Sequence, residues 1–246
     1  MPKAPAADQR RLLDVQALDT RLDQIAHKRR THPTLARLTE LDGQISDLYT
    51  SLVASRTAVS DLRRELTKAE SDVEQVRSRA TRDQSRLDSG AVGAKDAQAL
   101  VSELASLARR QGDLEEIELD VMERLEAHET ALAEVEKAHG ELVAAKEAAE
   151  AERDAAFAEL DAQAAEVRSE RAQTAEGLDA GLVTMYEKLR ARLGGVGVAA
   201  LRHGRSEGSG MPISPTDLAR IKTLPEDEIV ICEDSSRILV RGDDAF

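Results

Sequence analysis

The sequence predicts a mainly helical protein, a long antiparallel coiled-coil hairpin followed by a small C-terminal β-rich module. Three observations predict it. Apolar residues recur in threes and fours along residues 35–87. Gly90 and Gly93 interrupt sequence that is otherwise helical on both sides. The composition then changes after Glu176, where glycine, proline and β-branched residues replace the Ala/Glu/Leu/Arg pattern. The first is the spacing of a coiled-coil seam, the second a turn, and the third a domain boundary.

Composition bounds the function as well. Of 246 residues, 33% are charged and 2% aromatic, with no tryptophan. A thin seam of Leu, Val and Ala must therefore stabilise the chain in place of a thick core. The net charge of −13 argues against a general binder of nucleic acid or anionic membranes, because both surfaces repel it. No apolar run reaches 18 residues, so no membrane span is expected. The N-terminus, Met-Pro-Lys-Ala-Pro-Ala-Ala-Asp, lacks the apolar region of a signal peptide. A single cysteine, Cys232, excludes an internal disulfide. A cytoplasmic protein is the expectation.

In chain order, residues 1–7 read as a disordered tail containing Pro2 and Pro5. Asp8 is the expected N-cap of a first helix over about 8–31, whose seam is Leu12, Val15, Leu18, Leu22 and Ile25. It closes on His27, Lys28, Arg29 and Arg30, a charge that suits a helix C-terminus. Pro33 breaks or kinks the chain, and the helix restarts near residues 31–34. The long helix then runs to about Asp88, with Leu38, Leu41, Ile45, Leu48, Leu52, Val59, Leu62, Leu66, Ala69, Val73, Val76, Ala80 and Leu87 in the seam and polar exceptions at Ser55 and Asp83. Some fifty residues of helix make a rod of about 80 Å.

The turn occupies residues 89–94, and the returning helix runs from about Ala94 to Glu176. Folding back at the glycines sets Leu87 beside Leu100, Val73 beside Leu114, Leu66 beside Val121, Leu52 beside Val135 and Ile45 beside Leu142. Apolar meets apolar at each of these layers. Val59 opposite His128 is the main exception, and His128 and His139 read as partly buried seam histidines. A parallel homodimer of each helix is the rival arrangement, and the glycine turn counts against it. Residues 141–166 are rich in alanine, which buries little area, so this stretch is expected to be the weaker and more bendable part.

Charge is uneven along the hairpin. Residues 113–176 carry 20 acidic and 6 basic side chains. Near the turn the sign reverses, with Arg77, Arg79, Arg82 and Arg86 on one arm, Arg109 and Arg110 on the other, and Lys95 at the turn. Two readings stand: a solvated helix face, or a basic tip that docks an acidic partner or a phosphate backbone.

After a connecting segment, 177–195, with a short helix carrying Leu182, Met185, Tyr186, Leu189 and Leu193, residues 196–246 form the small module. Strand-like stretches are expected at Val196 to Leu201, Glu228 to Cys232 and Arg237 to Arg241, with a short helix opened by Ser214 and Pro215. Its expected core is Val198, Leu201, Ile213, Leu218, Ile221, Ile229, Ile231, Ile238 and Leu239. At this size a staple is usual.

The order of parts is similar to a bacterial family of coiled-coil proteins ending in a four-cysteine zinc ribbon. The resemblance spans essentially the whole chain. It is most specific in the Tyr-Glu-Lys-Leu-Arg helix (Tyr186–Arg190), the Gly-Val-Gly-Val-Ala stretch (Gly195–Ala199) and two knuckles around the Pro-Thr-Asp-Leu helix. It implies a Cys-x-x-Cys at each knuckle holding one tetrahedral zinc. This chain departs there. Its first knuckle is Ser206-Glu207-Gly208-Ser209 and its second is Cys232-Glu233-Asp234-Ser235. Three of four thiols are serine, so the expectation is a ribbon-like fold with no zinc and no other cofactor, and a buried, unreactive Cys232.

No catalytic set emerges. The histidines His27, His32, His128, His139 and His203 form no His-Glu-x-x-His motif, and Gly194-Gly195-Val196-Gly197 lacks a lysine at phosphate-binding-loop spacing. The protein is expected not to be an enzyme. The resemblance implies an adaptor or chaperone-like protein, since relatives look like partners of export components and of an alternative sigma factor. The alternative is nucleic-acid binding through the basic tip or the ribbon-like module, although residues 196–246 hold six Lys/Arg against nine Asp/Glu. Expected partners are thus one or more proteins, with nucleic acid as the alternative and no membrane; a monomer or weak homo-oligomer is expected.

Overall fold

A computed structural model describes residues 2–246. Helices dominate it: α1 (Ala6–Arg30), α2 (Pro33–Asp88), α3 (Ala94–Ala175), α4 (Ala180–Arg192) and α5 (Pro215–Thr223). Four short strands complete it: β1 (Val198–Arg202), β2 (Arg205–Ser206), β3 (Val230–Ile231) and β4 (Ile238–Arg241). The chain forms a long helical hairpin and a small strand-containing module, as the periodicity and the glycines dictate. By internal packing it divides into two compact units. The arm is Ala36–Glu150; the base combines the chain up to Leu35 with Ala151–Phe246.

In the arm, α2 and α3 pack antiparallel along the heptad seam. Leu38, Leu41 and Ala149 form one buried cluster with Leu142 and Ala145 against it. Farther along, Leu52, Val59, Leu62, Ala69 and Val73 of α2 and Leu100, Leu114 and Val121 of α3 are buried. Ion pairs stitch the flanks: Arg56–Glu136 at 2.8 Å, Arg63–Glu129 at 2.6 Å, Arg77–Glu115 at 3.2 Å, Arg124–Glu65 at 3.6 Å and Lys146–Asp42 at 2.6 Å. Seam and pairs agree on one register, with apolar layers inside and charged partners just outside, the usual division in a coiled coil. Of the two seam histidines read from sequence as partly buried, one differs and one agrees. His128 is exposed, because its long polar side chain reaches water at the helix edge. His139 is half-buried and its ring centroid lies 6.3 Å from that of Tyr49.

In the base, α1 packs on α3 through Leu18, Ile25, Ala164 and Val167. A larger cluster joins α1, α4 and the sheet: Leu12, Val15, Leu182, Tyr186, Val198 and Ile238. The sheet order is β2-β1-β4-β3, with β1 and β4 parallel and the two outer pairs antiparallel. Leu201, Ile213, Ile221, Val230, Cys232 and Leu239 fill its other side. Ser214 caps α5 by accepting the Asp217 N–H at 3.1 Å, and Pro215 starts the helix where its missing N–H costs nothing.

Several base residues depart from expectation. The N-terminal tail is ordered: Lys3 bridges Glu228 in antiparallel fashion, the Ala4 N–H donates to Asp227 O at 2.8 Å, and Ala4 is buried. Accordingly α1 starts at Ala6 with Pro5 at the cap position, and Asp8 sits in the first turn, where its Oδ2 accepts the Asp179 N–H at 3.0 Å. Ile231 faces out, 37% exposed, while Val230 and Val240 are buried; in so short a strand one step of register decides which face is inside.

Candidate functional sites

The two knuckles are built alike. In the first, the Ser206 N–H donates to Met211 O at 3.1 Å and the Gly210 N–H donates to Ser206 O at 2.8 Å. In the second, the Cys232 N–H donates to Arg237 O and the Ser236 N–H donates to Cys232 O, at 2.8 and 2.9 Å. Each is flanked by an antiparallel pair, Arg205 with Pro212 and Ile231 with Ile238. Each also needs a left-handed residue at the same place, Gly210 with φ 69° and Ser236 with φ 57°. Glycine adopts that conformation freely; Ser236 does so against its Cβ. One backbone hairpin has therefore been used twice, around the positions read from sequence as 206, 209, 232 and 235.

The side chains at these positions are poor in the usual zinc ligands. They offer one thiol, buried at Cys232, and three hydroxyls, and neutral hydroxyls are poor zinc ligands beside thiolate and imidazole. Among the described residues no three His, Cys, Asp or Glu side chains cluster closely enough to hold a metal. Ser206 is fully buried, and its Oγ, like that of Ser235, has no hydrogen-bond partner among the described residues. Ser209 is exposed, with its Oγ 3.4 Å from the Met211 N–H. Glycine at 208 matters here, since a Cβ would stand 2.7 Å from that of Ala199.

The basic tip is divided by the hairpin seam. Arg77 is on one flank, bound to Glu115 and 3.9 Å from Glu74. Gln111 and then Arg77 hold the Glu115 carboxyl below the usual range. Arg79, Arg82 and Arg110 instead line one open groove with Val76 and Leu107. Arg79 is bound to Glu103 and lies 3.9 Å from Asp83, and Arg86 lies 3.9 Å from Asp83 on the same carboxylate. Lys95, Arg82, Arg109 and Arg110 are exposed and have no carboxylate partner among the described residues. Asp83 occupies a seam position, 8% exposed, with Oδ2 unbonded.

A third polar cluster, in the base, escaped the sequence reading. Asp19 on α1 is 4% exposed. It accepts from Arg171 Nε at 2.9 Å and from the Tyr186 hydroxyl at 2.7 Å, and Arg190 Nε stands 3.7 Å away. Arg190 continues to Asp23 at 2.7 Å and Arg171 to Glu187. Burial, then the bond to Asp19, pushes the Tyr186 phenol far above its ordinary value. The Asp19 bond outweighs burial to raise Arg171, and Asp19 and Asp23 together overcome the desolvation of Arg190. One turn earlier, Gln16 bridges two backbones, donating to Gly195 O at 2.9 Å and accepting the Gly197 N–H at 2.8 Å. A Cβ at residue 197 would stand 2.9 Å from Tyr186 O and Arg190 N, so only glycine lets the chain enter β1 this close to α4. The Asp19 carboxylate is buried and bonded, while Arg190 Nε is buried without a hydrogen-bond partner among the described residues; an acceptor shared by α1, α3 and α4 suits a clamp. Its sequence signal was the recurrence of Gln9, Leu12, Gln16 and Asp19 on one helical face.

Comparison with known proteins fits this architecture. Residues 15–194 match the CT398-like coiled coil hairpin domain family. An uncharacterized protein of Mycobacterium tuberculosis is 36% identical over 243 residues, 97% of each chain. A solved structure from Mycobacterium smegmatis superimposes with a TM-score of 0.87 at 34% identity, over 98% of this chain and 100% of that one. CT398 from Chlamydia trachomatis gives 0.70 at 18% identity, over 96% and 98%, a likeness of fold.

Proposed function

The chain belongs to the family of CT398-like coiled coil hairpin proteins, and on that premise we propose that it is a non-enzymatic adaptor or chaperone-like protein that binds partner proteins along its hairpin. One observation carries the reading. Helices of 56 and 82 residues bury a narrow seam yet keep large apolar side chains in water on their flanks, among them Tyr49, Val101, Ile117, Leu119 and Met122, each 47–58% exposed. Helical faces of that kind recognise partner helices. Among the described residues no helix is long and apolar enough to cross a membrane.

The C-terminal module is a zinc-ribbon-like fold without its metal, and its doubled knuckle hairpin supports that reading. The apolar cluster around Leu201, Ile221 and Leu239 and the base clamp take over the metal's structural role. Protein purified without chelator should carry well below one zinc per chain by elemental analysis; stoichiometric zinc would overturn the reading.

A second reading, nucleic-acid binding, draws on the unpaired Arg82, Arg109, Arg110 and Lys95. Cross-linking of the tagged protein in its own cells, with and without nuclease and read by mass spectrometry, separates the two. A small set of proteins that survives nuclease supports the adaptor. Partners that vanish with nuclease, together with salt-dependent RNA binding that is lost on changing Arg77, Arg82, Arg109 and Arg110 to Glu, support the tip reading.

A further inference from the structure

The two knuckles share one face of the sheet. Ser206 pairs with Leu201 across β2 and β1, and residues opposite each other in an antiparallel pair send their side chains out on the same face. Leu201 and Cys232 belong to one buried cluster on that face. The first knuckle also reaches the root of the second. A Cβ at Gly208 would stand 2.7 Å from that of Ala199 and 3.1 Å from Arg237 Cδ. Arg237 follows the second knuckle, and its Nε donates to Val196 O at 3.1 Å. This one side chain therefore runs from the second knuckle, past the turn of the first, to the segment that leads into β1.

Equivalent positions of the two hairpins carry an oxygen and a sulfur. Ser206 and Cys232 each open a hairpin with the same pair of backbone bonds, and they are 0% and 4% exposed. The oxygen is idle: Ser206 Oγ has no hydrogen-bond partner among the described residues, and neither has the buried Oγ of Ser235. A side chain selected for burial alone would be apolar, because a buried hydroxyl without a bond is unfavourable. Serine here instead keeps the shape of cysteine with one atom exchanged. At the fourth position of the first knuckle, Ser209 is exposed and its Oγ lies 3.4 Å from the Met211 N–H. A thiolate there would accept that N–H, the kind of outer bond that fixes a metal ligand. Neutral hydroxyls are poor ligands for zinc, whereas a pair of such hairpins with thiolates at the first and fourth positions is the form that holds it.

We infer that the two knuckles are a latent metal cradle silenced at three atoms. The backbone keeps the arrangement of a four-thiolate site, and the oxygens of Ser206, Ser209 and Ser235 beside the Cys232 sulfur are what withhold the metal. The inference rests on the metal-free reading of the module, and it adds that the side chains alone, and not the fold, account for that state.

The test places sulfur at the three positions of the full-length chain, S206C/S209C/S235C, purified reduced and metal-free. Titration with Co²⁺ should give the strong visible absorption of a tetrahedral thiolate site, complete at one ion per chain and displaced by zinc. Wild type should give no such signal, nor should S235C, which has both thiols in one knuckle. Added zinc should also raise the urea midpoint of the triple variant and leave that of wild type unmoved, since a bound ion stabilises the fold that binds it. Absence of the tetrahedral signal from the triple variant, or an equal signal from S235C, would overturn the inference. Ser206→Ala gives a second reading that needs no metal. Removal of an idle buried hydroxyl should raise the urea midpoint or leave it unchanged; a lower midpoint would show that the oxygen has a structural task of its own and would overturn the inference as well. Stoichiometric zinc in wild type would sink the metal-free reading itself, whereas a silent triple variant would sink the cradle alone.

Discussion

The base and the arm solve the same problem, holding long helices together, in opposite ways. The arm leaves its charges outside: its cross-helix pairs are near half-exposed on both partners, as in Arg56–Glu136 and Arg63–Glu129. The base puts charge inside, with Asp19 almost wholly buried between Arg171, Arg190 and Tyr186. Surface pairs choose a register without adding much stability. A buried, fully bonded carboxylate specifies a geometry and makes its loss costly. The difference teaches where this chain tolerates variation: along the flanks of the arm, and far less around α1 and α4.

Removing Asp19 should break that contrast most. Asp19→Ala leaves two guanidinium groups and a phenol without their shared acceptor, at a cost of about 3–5 kcal/mol. Hydrogen exchange should then show α1 and α4 unprotected while the arm seam around Val121 keeps its protection; equal loss in both units would show that they are not separately stabilised. A smaller effect follows from Tyr186→Phe, which deletes one bond to a charged acceptor, worth about 2 kcal/mol. This variant also carries a pH signature. Because the folded phenol titrates far above its ordinary value, its contribution is complete below the unfolded value of about 10 and is lost as pH rises from there towards the folded one. Urea unfolding between pH 8 and 11 should thus fall more steeply for wild type than for Tyr186→Phe, and parallel profiles would remove Tyr186 from the clamp.

In the arm, Asp83 is the one charge placed as the base places its own, but without the bonds. Its guanidinium neighbours stand at 3.9 Å and Oδ2 is unbonded. Asp83→Leu should raise stability by about 1 kcal/mol, read as a higher urea midpoint. A drop would mean that the Asp83 ion pairs hold the tip together. Least of all, Arg63→Ala should cost at most about 0.5 kcal/mol, and that only at low salt; a loss persisting in 1 M salt would place this surface pair in the same class as the clamp.

How much was legible in the sequence follows from the same contrast. The arm was legible because its rules are local: leucine and valine at heptad spacing and a glycine pair at the turn. The base was legible only in outline. Gln9, Gln16 and Asp19 look like polar interruptions of a seam until their partners arrive from Glu226, Gly195, Gly197, Arg171 and Tyr186, all more than a hundred residues away in the chain. The N-terminal tail read as disordered for the same reason, since its pairing partner is Glu228. The knuckles were visible as spacing, whereas the backbone hairpin repeated at Ser206 and Cys232 was not.

The bridge between Lys3 and Glu228 has a consequence for the order in which the protein is made. Contacts that span 224 residues, such as Lys3 with Asp227, cannot form until the last part of the chain has left the ribosome. The arm is contiguous, and its two helices can zip together from the glycine turn while synthesis continues, each step closing a small loop. The base must wait, and the first helix meanwhile carries Leu12, Val15 and a lone Asp19 in water. A nascent chain of this protein is therefore a finished arm with an unfinished end, and that waiting segment is where a chaperone or protease acting during translation would find it.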